Sequence, residues 1–219
     1  MANEYLAEPA APGPGVLVVH DWYGLLPHVK GLCDELAEDG FLALAPDLYD
    51  GATTTDALEA ERLLDRLDAG AAQARLGAAA ERLRRRAAPT RVGAVGFSMG
   101  GWHALRLAAA GRLDAVVAYY GALTPAEAAP IGCPVLLQLA AVDRWDPPDT
   151  PERFAASLRE HGGTLESRTW PGTAHSFANA DVAEYAPAQA ADAWALTVEF
   201  LRRNLVPTAG FAAGPADPA

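Results

Sequence analysis

The length, composition and charge of this chain exclude several classes of protein. Its 219 residues suffice for one domain with a substantial core, and 51% hydrophobic with 21% charged residues indicate a globular protein. A net charge of −11 at pH 7 argues against nucleic acid and anionic membrane surfaces as partners.

The ends of the chain and its two cysteines give no sign of export or membrane insertion. Residues 1–14 hold two glutamates and no apolar core, unlike a signal peptide, and no apolar run approaches the ~18–20 residues of a membrane span. Cys33 and Cys133 lie in apolar surroundings, which favours core positions over metal ligands or a disulfide. We therefore expect a cytoplasmic monomer or small homo-oligomer, with one domain over 1–205 and a flexible tail over 206–219.

Apolar, β-rich runs alternate with helical patterns along the chain. The predicted strands are 16–20, 41–45, 91–97, 114–120, 134–140 and 164–170, and the predicted helices are 27–39, 56–68, 71–87, 99–110, 150–161 and most of 182–205. Strands that are apolar throughout indicate burial on both faces, hence a mainly parallel α/β sheet flanked by helices. No insertion between strands is long enough for a separate cap domain, so we expect a shallow or loop-covered pocket beyond the carboxyl ends of the strands.

The segment Gly96-Phe97-Ser98-Met99-Gly100-Gly101 lies between a predicted strand and a predicted helix. A Gly-x-Ser-x-Gly turn in this setting is typical of the nucleophile elbow of serine hydrolases. The strained backbone at the serine requires close neighbours without side chains, which Gly96 and Gly100 provide. The helix that follows points its N-terminal amides at the place where negative charge would develop on a substrate oxygen. The alternative is an ordinary glycine-rich turn. A phosphate-binding loop is less favoured, because neither Gly-Lys-Ser/Thr nor Gly-x-Gly-x-x-Gly is present here.

A serine nucleophile needs a histidine base and a carboxylate that orients it. His175 follows the last predicted strand, and His20, at the end of the first, is its rival. Asp143 follows the strand 134–140 and is favoured over its neighbour Asp146, because it lies nearer the rigid strand end. Ser98, Asp143 and His175 also stand in the chain order of the α/β-hydrolase triad.

The oxyanion hole and the pocket walls are predicted from residues next to this triad. The amide of Met99, directly after the nucleophile, is the first expected donor, and the Trp22 amide in the loop after the first strand is the second. Aromatic side chains beside the assigned residues suit an apolar or planar substrate, although each can instead fill the core. They are Trp22, Tyr23, Tyr120, Trp145 and Phe177.

These motifs together resemble the dienelactone hydrolase family of α/β-hydrolases over residues 16–205. The resemblance rests on His20-Asp21-Trp22-Tyr23-Gly24, Ala45-Pro46-Asp47-Leu48-Tyr49, the elbow, Tyr119-Tyr120-Gly121, Asp143 with its following prolines, and Pro171-Gly172-Thr173-Ala174-His175-Ser176-Phe177. It implies an α/β-hydrolase fold with a sheet of about eight strands and no lid. It also implies hydrolysis of ester or lactone bonds without a metal or other cofactor.

Three positions depart from the pattern of the type enzymes in this family. Ser98 stands where they carry a cysteine, Asp21 where they carry a glutamate, and Asn179 where an arginine holds the substrate carboxylate. We therefore expect a neutral or aromatic ester or lactone as substrate, with Asp21 and Asn179 as further contacts. A biosynthetic cyclase or acyl transferase using the same site, or a non-catalytic binding protein, remains as an alternative.

Overall fold

The structure, a computed structural model, describes residues 3–125, 127, 131–145 and 149–207. This part of the chain contains seven strands and six helices. The strands are β1 (Glu4–Ala7), β2 (Gly15–Val19), β3 (Leu42–Pro46), β4 (Val92–Phe97), β5 (Ala115–Tyr119), β6 (Val135–Val142) and β7 (Leu165–Ala174). The helices are α1 (Pro27–Glu38), α2 (Ala57–Arg66), α3 (Ala69–Arg86), α4 (Met99–Ala109), α5 (Thr150–Glu160) and α6 (Pro187–Leu205). None of these helices is both long and apolar enough to cross a bilayer.

The strands form one sheet in the order β1-β3-β2-β4-β5-β6-β7. All neighbouring strands are parallel except β1, which pairs antiparallel with β3. The described sheet thus has seven strands, against the eight or so that the family resemblance implies. β1 was not predicted, because it has four residues at the edge of the sheet and buries only Ala7, too short a pattern to recognise.

Side chains alternate between the two faces of the sheet, and both faces are covered. On β2, Leu17 and Val19 belong to the hydrophobic cluster that includes residues of α3, α4 and α5, whereas Val16 and Val18 belong to the cluster that includes residues of α1 and α6. Burial on both faces explains why these strands are apolar throughout. Within the described residues no segment forms a separate cap, and α2 buries only Ala60.

The boundaries of two elements differ from the prediction in ways that concern the site. β7 continues to Ala174, so His175 follows a strand directly and does not lie within a longer loop. α6 begins at Pro187 and leaves 182–186 outside the helix, since a proline suits the first turn of a helix.

Both cysteines are buried and unpaired, as predicted. The tail predicted over 206–219 lies outside the described residues from 208 onward.

Candidate active site

The backbone of Ser98 adopts the strained conformation predicted for an elbow, with φ 51° and ψ −116°. The glycines on either side are required by close backbone contacts. A Cβ on Gly96 would lie 2.2 Å from the Gly100 carbonyl oxygen, and a Cβ on Gly100 would lie 2.3 Å from that of Val19. The sharp turn therefore presents the Ser98 hydroxyl beyond the carboxyl end of β4, at the amino terminus of α4.

Hydrogen bonds join Ser98, His175 and Asp143 in a line. Ser98 Oγ lies 2.7 Å from His175 Nε2, and His175 Nδ1 lies 2.8 Å from Asp143 Oδ2. A carboxylate only accepts, so Nδ1 carries the imidazole proton and Nε2 is left to accept the proton of the Ser98 hydroxyl. The side chains of His175 and Asp143 keep 13% and 21% of their surface exposed, so the group is reachable from solvent.

Asp143 occupies the position directly after β6. Its Oδ1 accepts a hydrogen bond of 3.0 Å from the Trp145 amide, which leaves Oδ2 for His175. The two oxygens thus have separate partners, and the loop amide fixes the orientation of the carboxylate. Asp146, the competing carboxylate, lies outside the described residues.

The other four histidines have structural partners. His20 is fully buried between the Asp21 carbonyl oxygen, 2.6 Å from Nδ1, and the Leu48 amide, which donates to Nε2 at 3.1 Å. Burial lowers the pKa of His20, and neither ring nitrogen is free for Ser98. The Nδ1 atoms of His28, His103 and His161 lie within hydrogen-bond distance of Asp181, Gln73 and the Ser157 carbonyl respectively.

The two backbone amides predicted to form the oxyanion hole have no acceptor within the described residues. Met99 is the first residue of α4, and Trp22 lies in the loop after β2; neither amide donates a hydrogen bond there. Asp21 stabilises this loop, since its Oδ1 accepts from the Tyr23 amide at 2.9 Å. The Met99 amide, directly after Ser98, is therefore available to a negatively charged oxygen formed there, and the Trp22 amide is also unpaired.

Asp21 and Asn179 form a buried pair and do not lie on the pocket surface where we had placed them. The Asn179 side-chain amide donates to Asp21 Oδ2 at 2.8 Å, and neither residue has exposed surface. Burial raises the pKa of the Asp21 carboxyl, with the hydrogen bonds from Tyr23 and Asn179 opposing the shift. The expectation of direct substrate contact is therefore corrected, because neither Asp21 nor Asn179 reaches the surface.

The predicted pocket aromatics divide into an accessible pair and a buried group. Trp145 is 62% exposed, and its ring centroid lies 4.8 Å from that of the half-buried Trp22 and 6.0 Å from His175. The ring centroid of Tyr120 lies 4.9 Å from that of His175, and the Tyr120 hydroxyl is buried and unpaired among the described residues. Tyr120, Phe177 and Tyr23 are all buried core residues, so their predicted place in the pocket wall is also corrected.

Sequence reasoning missed Asp181. Its amide donates to the Asn179 side-chain oxygen at 2.9 Å, and its carboxylate holds His28, which lies 153 residues away. Two residues so far apart in the chain show no local sequence pattern that would reveal their contact.

The described residues contain no cluster of three or more His, Cys, Asp or Glu side chains arranged to hold a metal ion.

Comparisons with known proteins agree with this geometry. A model of the dienelactone hydrolase family matches residues 2–205. The chain belongs to the dienelactone hydrolase family. It is 34% identical to "Protein usf" of Aquifex pyrophilus over 218 residues, covering 92% of this chain and 93% of that one. It is 32% identical to the "Putative carboxymethylenebutenolidase" of Aquifex aeolicus strain VF5, at the same coverage.

A solved structure of a similar protein shares the fold of this dienelactone hydrolase family member. A crystal structure described as "Putative Dienelactone Hydrolase" from Klebsiella pneumoniae superposes with a TM-score of 0.82 at 29% identity, covering 91% of this chain and 92% of the other. The chain has the α/β-hydrolase fold, and the family identifies it as a hydrolase of carboxylic esters or lactones.

Proposed function

We propose that this family member is a serine hydrolase in which Ser98 is the nucleophile. His175 takes the hydroxyl proton as Ser98 attacks the substrate carbonyl, and it returns that proton to the leaving alcohol oxygen. The Met99 and Trp22 amides stabilise the oxyanion of the tetrahedral intermediate. Water then attacks the acyl-enzyme with His175 again as base, which releases the carboxylic acid and restores Ser98.

The observation that carries this proposal is the line of hydrogen bonds from Ser98 through His175 to Asp143. Each of the three residues comes directly after a different strand, β4, β7 and β6 respectively. Side chains on rigid strand ends hold their relative positions well, which a proton-transfer chain needs. The unpaired Met99 amide directly follows this serine of positive φ and supports an oxyanion-binding role, with the unpaired Trp22 amide as the proposed second donor.

The surroundings of His175 support an uncharged, planar substrate. In the described part of the chain its side-chain hydrogen bonds are to the Ser98 hydroxyl and the Asp143 carboxylate, and its aromatic neighbours are the rings of Tyr120 and Trp145. None of these groups is cationic, so a substrate carboxylate gains no ion pair from them. The accessible faces of Trp22 and Trp145 suit an aromatic or otherwise flat acyl group.

The openness of the site favours hydrolysis over acyl transfer or cyclisation. A transferase has to keep water away from the acyl-enzyme, whereas Trp145 is 62% exposed here and the catalytic side chains are partly solvated. A purely binding role would have no need of the bond from Ser98 to His175. The cytoplasmic location and the oligomeric state remain predictions.

Covalent labelling tests the nucleophile. A fluorophosphonate should add one adduct per chain, and peptide mapping should place it on Ser98. Ser98→Ala should remove both the label and several orders of magnitude of esterase activity, because members of a triad act as a unit. Ser167→Ala, which alters an exposed serine on β7, is the matched control and should keep both.

Labelling elsewhere, or full labelling of Ser98→Ala, would overturn the assignment of the nucleophile.

The substrate class is tested separately by comparing each lactone or ester that bears a carboxylate with its methyl ester. We expect a higher kcat/KM for the methyl ester, and a preference for the anion would contradict the proposed substrate class.

A further inference from the structure

Strands β6 and β7 change register just before the residues proposed for catalysis. Ala140 on β6 pairs with Trp170 on β7. The next pair toward the carboxyl ends of the strands joins Val142 to Ala174, so β6 advances by two residues where β7 advances by four. We call the three residues of β7 between these pairs, Pro171-Gly172-Thr173, the β7 bulge. Bulges re-aim side chains and are common next to active sites.

The β7 bulge decides which residue of β7 stands opposite Asp143. With the bulge, Asp143 and His175 each directly follow one member of the last pair, and His175 Nδ1 lies 2.8 Å from Asp143 Oδ2. Without it, the earlier pairing would continue and bring Thr173 opposite Asp143, with His175 two residues further on. Two residues span about 6.6 Å of strand, too far for a direct hydrogen bond. A shift of two also keeps each side chain on its own face of the sheet, because the side-chain period of a strand is two.

The Thr173 hydroxyl holds the bulge with two hydrogen bonds. It donates to the Trp170 carbonyl oxygen at 2.7 Å and accepts from the Ala141 amide at 3.2 Å. The first bond ties the last residue of the bulge to the residue before it, and the second ties the bulge to β6, two residues before Asp143. Thr173 is only 3% exposed, whereas the two preceding residues are exposed. Hydrogen bonds of a buried hydroxyl are costly to remove, since the groups left behind lose their partner.

We propose that Thr173 is a positioning residue for the pair formed by Asp143 and His175. Its hydroxyl keeps the β7 bulge in the register that sets the imidazole against the carboxylate, and it acts through this alignment and not by contact with the reacting atoms. The inference rests on the proposed serine-hydrolase function. Loss of the hydroxyl should therefore slow the chemical step and leave substrate binding unchanged, because only the alignment of the proton-transfer groups is altered.

The kinetics of p-nitrophenyl butyrate hydrolysis by Thr173→Val test this role. Valine has the shape of threonine without the hydroxyl, and a misalignment of about 1 Å should lower kcat by roughly 10- to 100-fold with KM little changed. Thr173→Ser keeps the hydroxyl and should recover most of the lost rate. Thr169→Val, the same substitution at an exposed position of the same strand, is the matched control and should behave as the unaltered protein.

Thermal unfolding checks that each variant is folded. Should the valine variant fail to fold, Thr173→Ala and Thr173→Ser make the same comparison, since they differ only by the hydroxyl oxygen. The serine variant should then have the higher kcat at equal KM.

A double-mutant cycle with Asp143→Asn separates positioning from a merely structural role. If Thr173 acts through the bond between Asp143 and His175, removing its hydroxyl should cost little further in kcat once that bond has been altered. A structural role would instead give the same additional loss of kcat in both backgrounds.

Three results would overturn the proposal: a full rate in Thr173→Val, no recovery in Thr173→Ser, or an equal additional loss in the Asp143→Asn background. Failure of the proposed function would be recognised separately, because Ser98→Ala would then retain its activity however the Thr173 variants behave.

Discussion

Replacing Asp143 by asparagine tests the proposed orientation of the catalytic histidine. In the unaltered protein Oδ1 accepts from the Trp145 amide at 3.0 Å and Oδ2 faces His175 Nδ1 at 2.8 Å. Asparagine keeps only one oxygen, and the Trp145 amide requires an acceptor, so the oxygen stays there and the new NH₂ group faces His175. That NH₂ donates to Nδ1 and forces the imidazole proton onto Nε2, where it blocks acceptance of the Ser98 proton.

The expected loss follows from this change of tautomer. The same carboxylate-to-amide change in a serine protease triad lowers kcat by ~10⁴-fold, or about 5.4 kcal/mol of barrier at 1.36 kcal/mol per decade. Here the pair is partly solvated, with His175 13% and Asp143 21% exposed, which allows water to offset some of the effect. We therefore expect kcat to fall by roughly 10³- to 10⁴-fold with KM little changed, because asparagine preserves the size of the side chain and the loop bond.

Hydrolysis of p-nitrophenyl butyrate provides the assay, with Ser98→Ala as the lower limit and Asp146→Asn as the matched control. Thermal unfolding of each variant checks that the fold is retained. Should Asp143→Asn lose less than tenfold, the tautomer argument fails. Should Asp146→Asn be the more damaging substitution, the carboxylate has been assigned to the wrong residue.

Three further predictions concern the elbow, acid stability and the aromatic wall. Gly100→Ala places a Cβ 2.3 Å from the Val19 carbonyl oxygen and should lower the free energy of unfolding by about 3 kcal/mol in urea titrations. Gly77→Ala, with open space around its Cβ, should be neutral or stabilising, and an equal loss in both would refute the steric argument. Burial lowers the pKa of His103 from 6.5 to about 4. As the pH falls from 6.5 to 4, the unfolded state therefore binds a proton that the folded state does not, and the free energy of unfolding decreases. His103→Gln should therefore flatten the pH dependence of unfolding between pH 6.5 and 4 by up to ~3 kcal/mol, and an unchanged slope would contradict this. Trp145→Ala should raise KM several-fold for aromatic acyl esters but not for acetate esters, without shifting the thermal midpoint, since the side chain is 62% exposed. A parallel loss with acetate esters would mean that Trp145 does not select the acyl group.

Local patterns in the sequence were enough to predict much of the architecture. The predicted helix over 27–39 is found at Pro27–Glu38 and the predicted strand over 91–97 at Val92–Phe97. Apolar runs and helical periodicity report burial directly, because each residue's face is decided by its position in its own element. The glycines around Ser98 were also readable, since a sharp turn excludes side chains whatever the rest of the chain does.

The sequence by itself therefore determined the elements other than β1, their alternation and the positions of Ser98, Asp143 and His175 after strands. Only the tertiary structure decided how the strands meet: it brought these three residues into hydrogen-bond contact and added β1 at the edge of the sheet. It also buried Asn179 against Asp21, 158 residues away. Burial and partnership of a polar side chain depend on which distant segments pack around it, and such contacts leave no mark on the neighbouring residues in the chain.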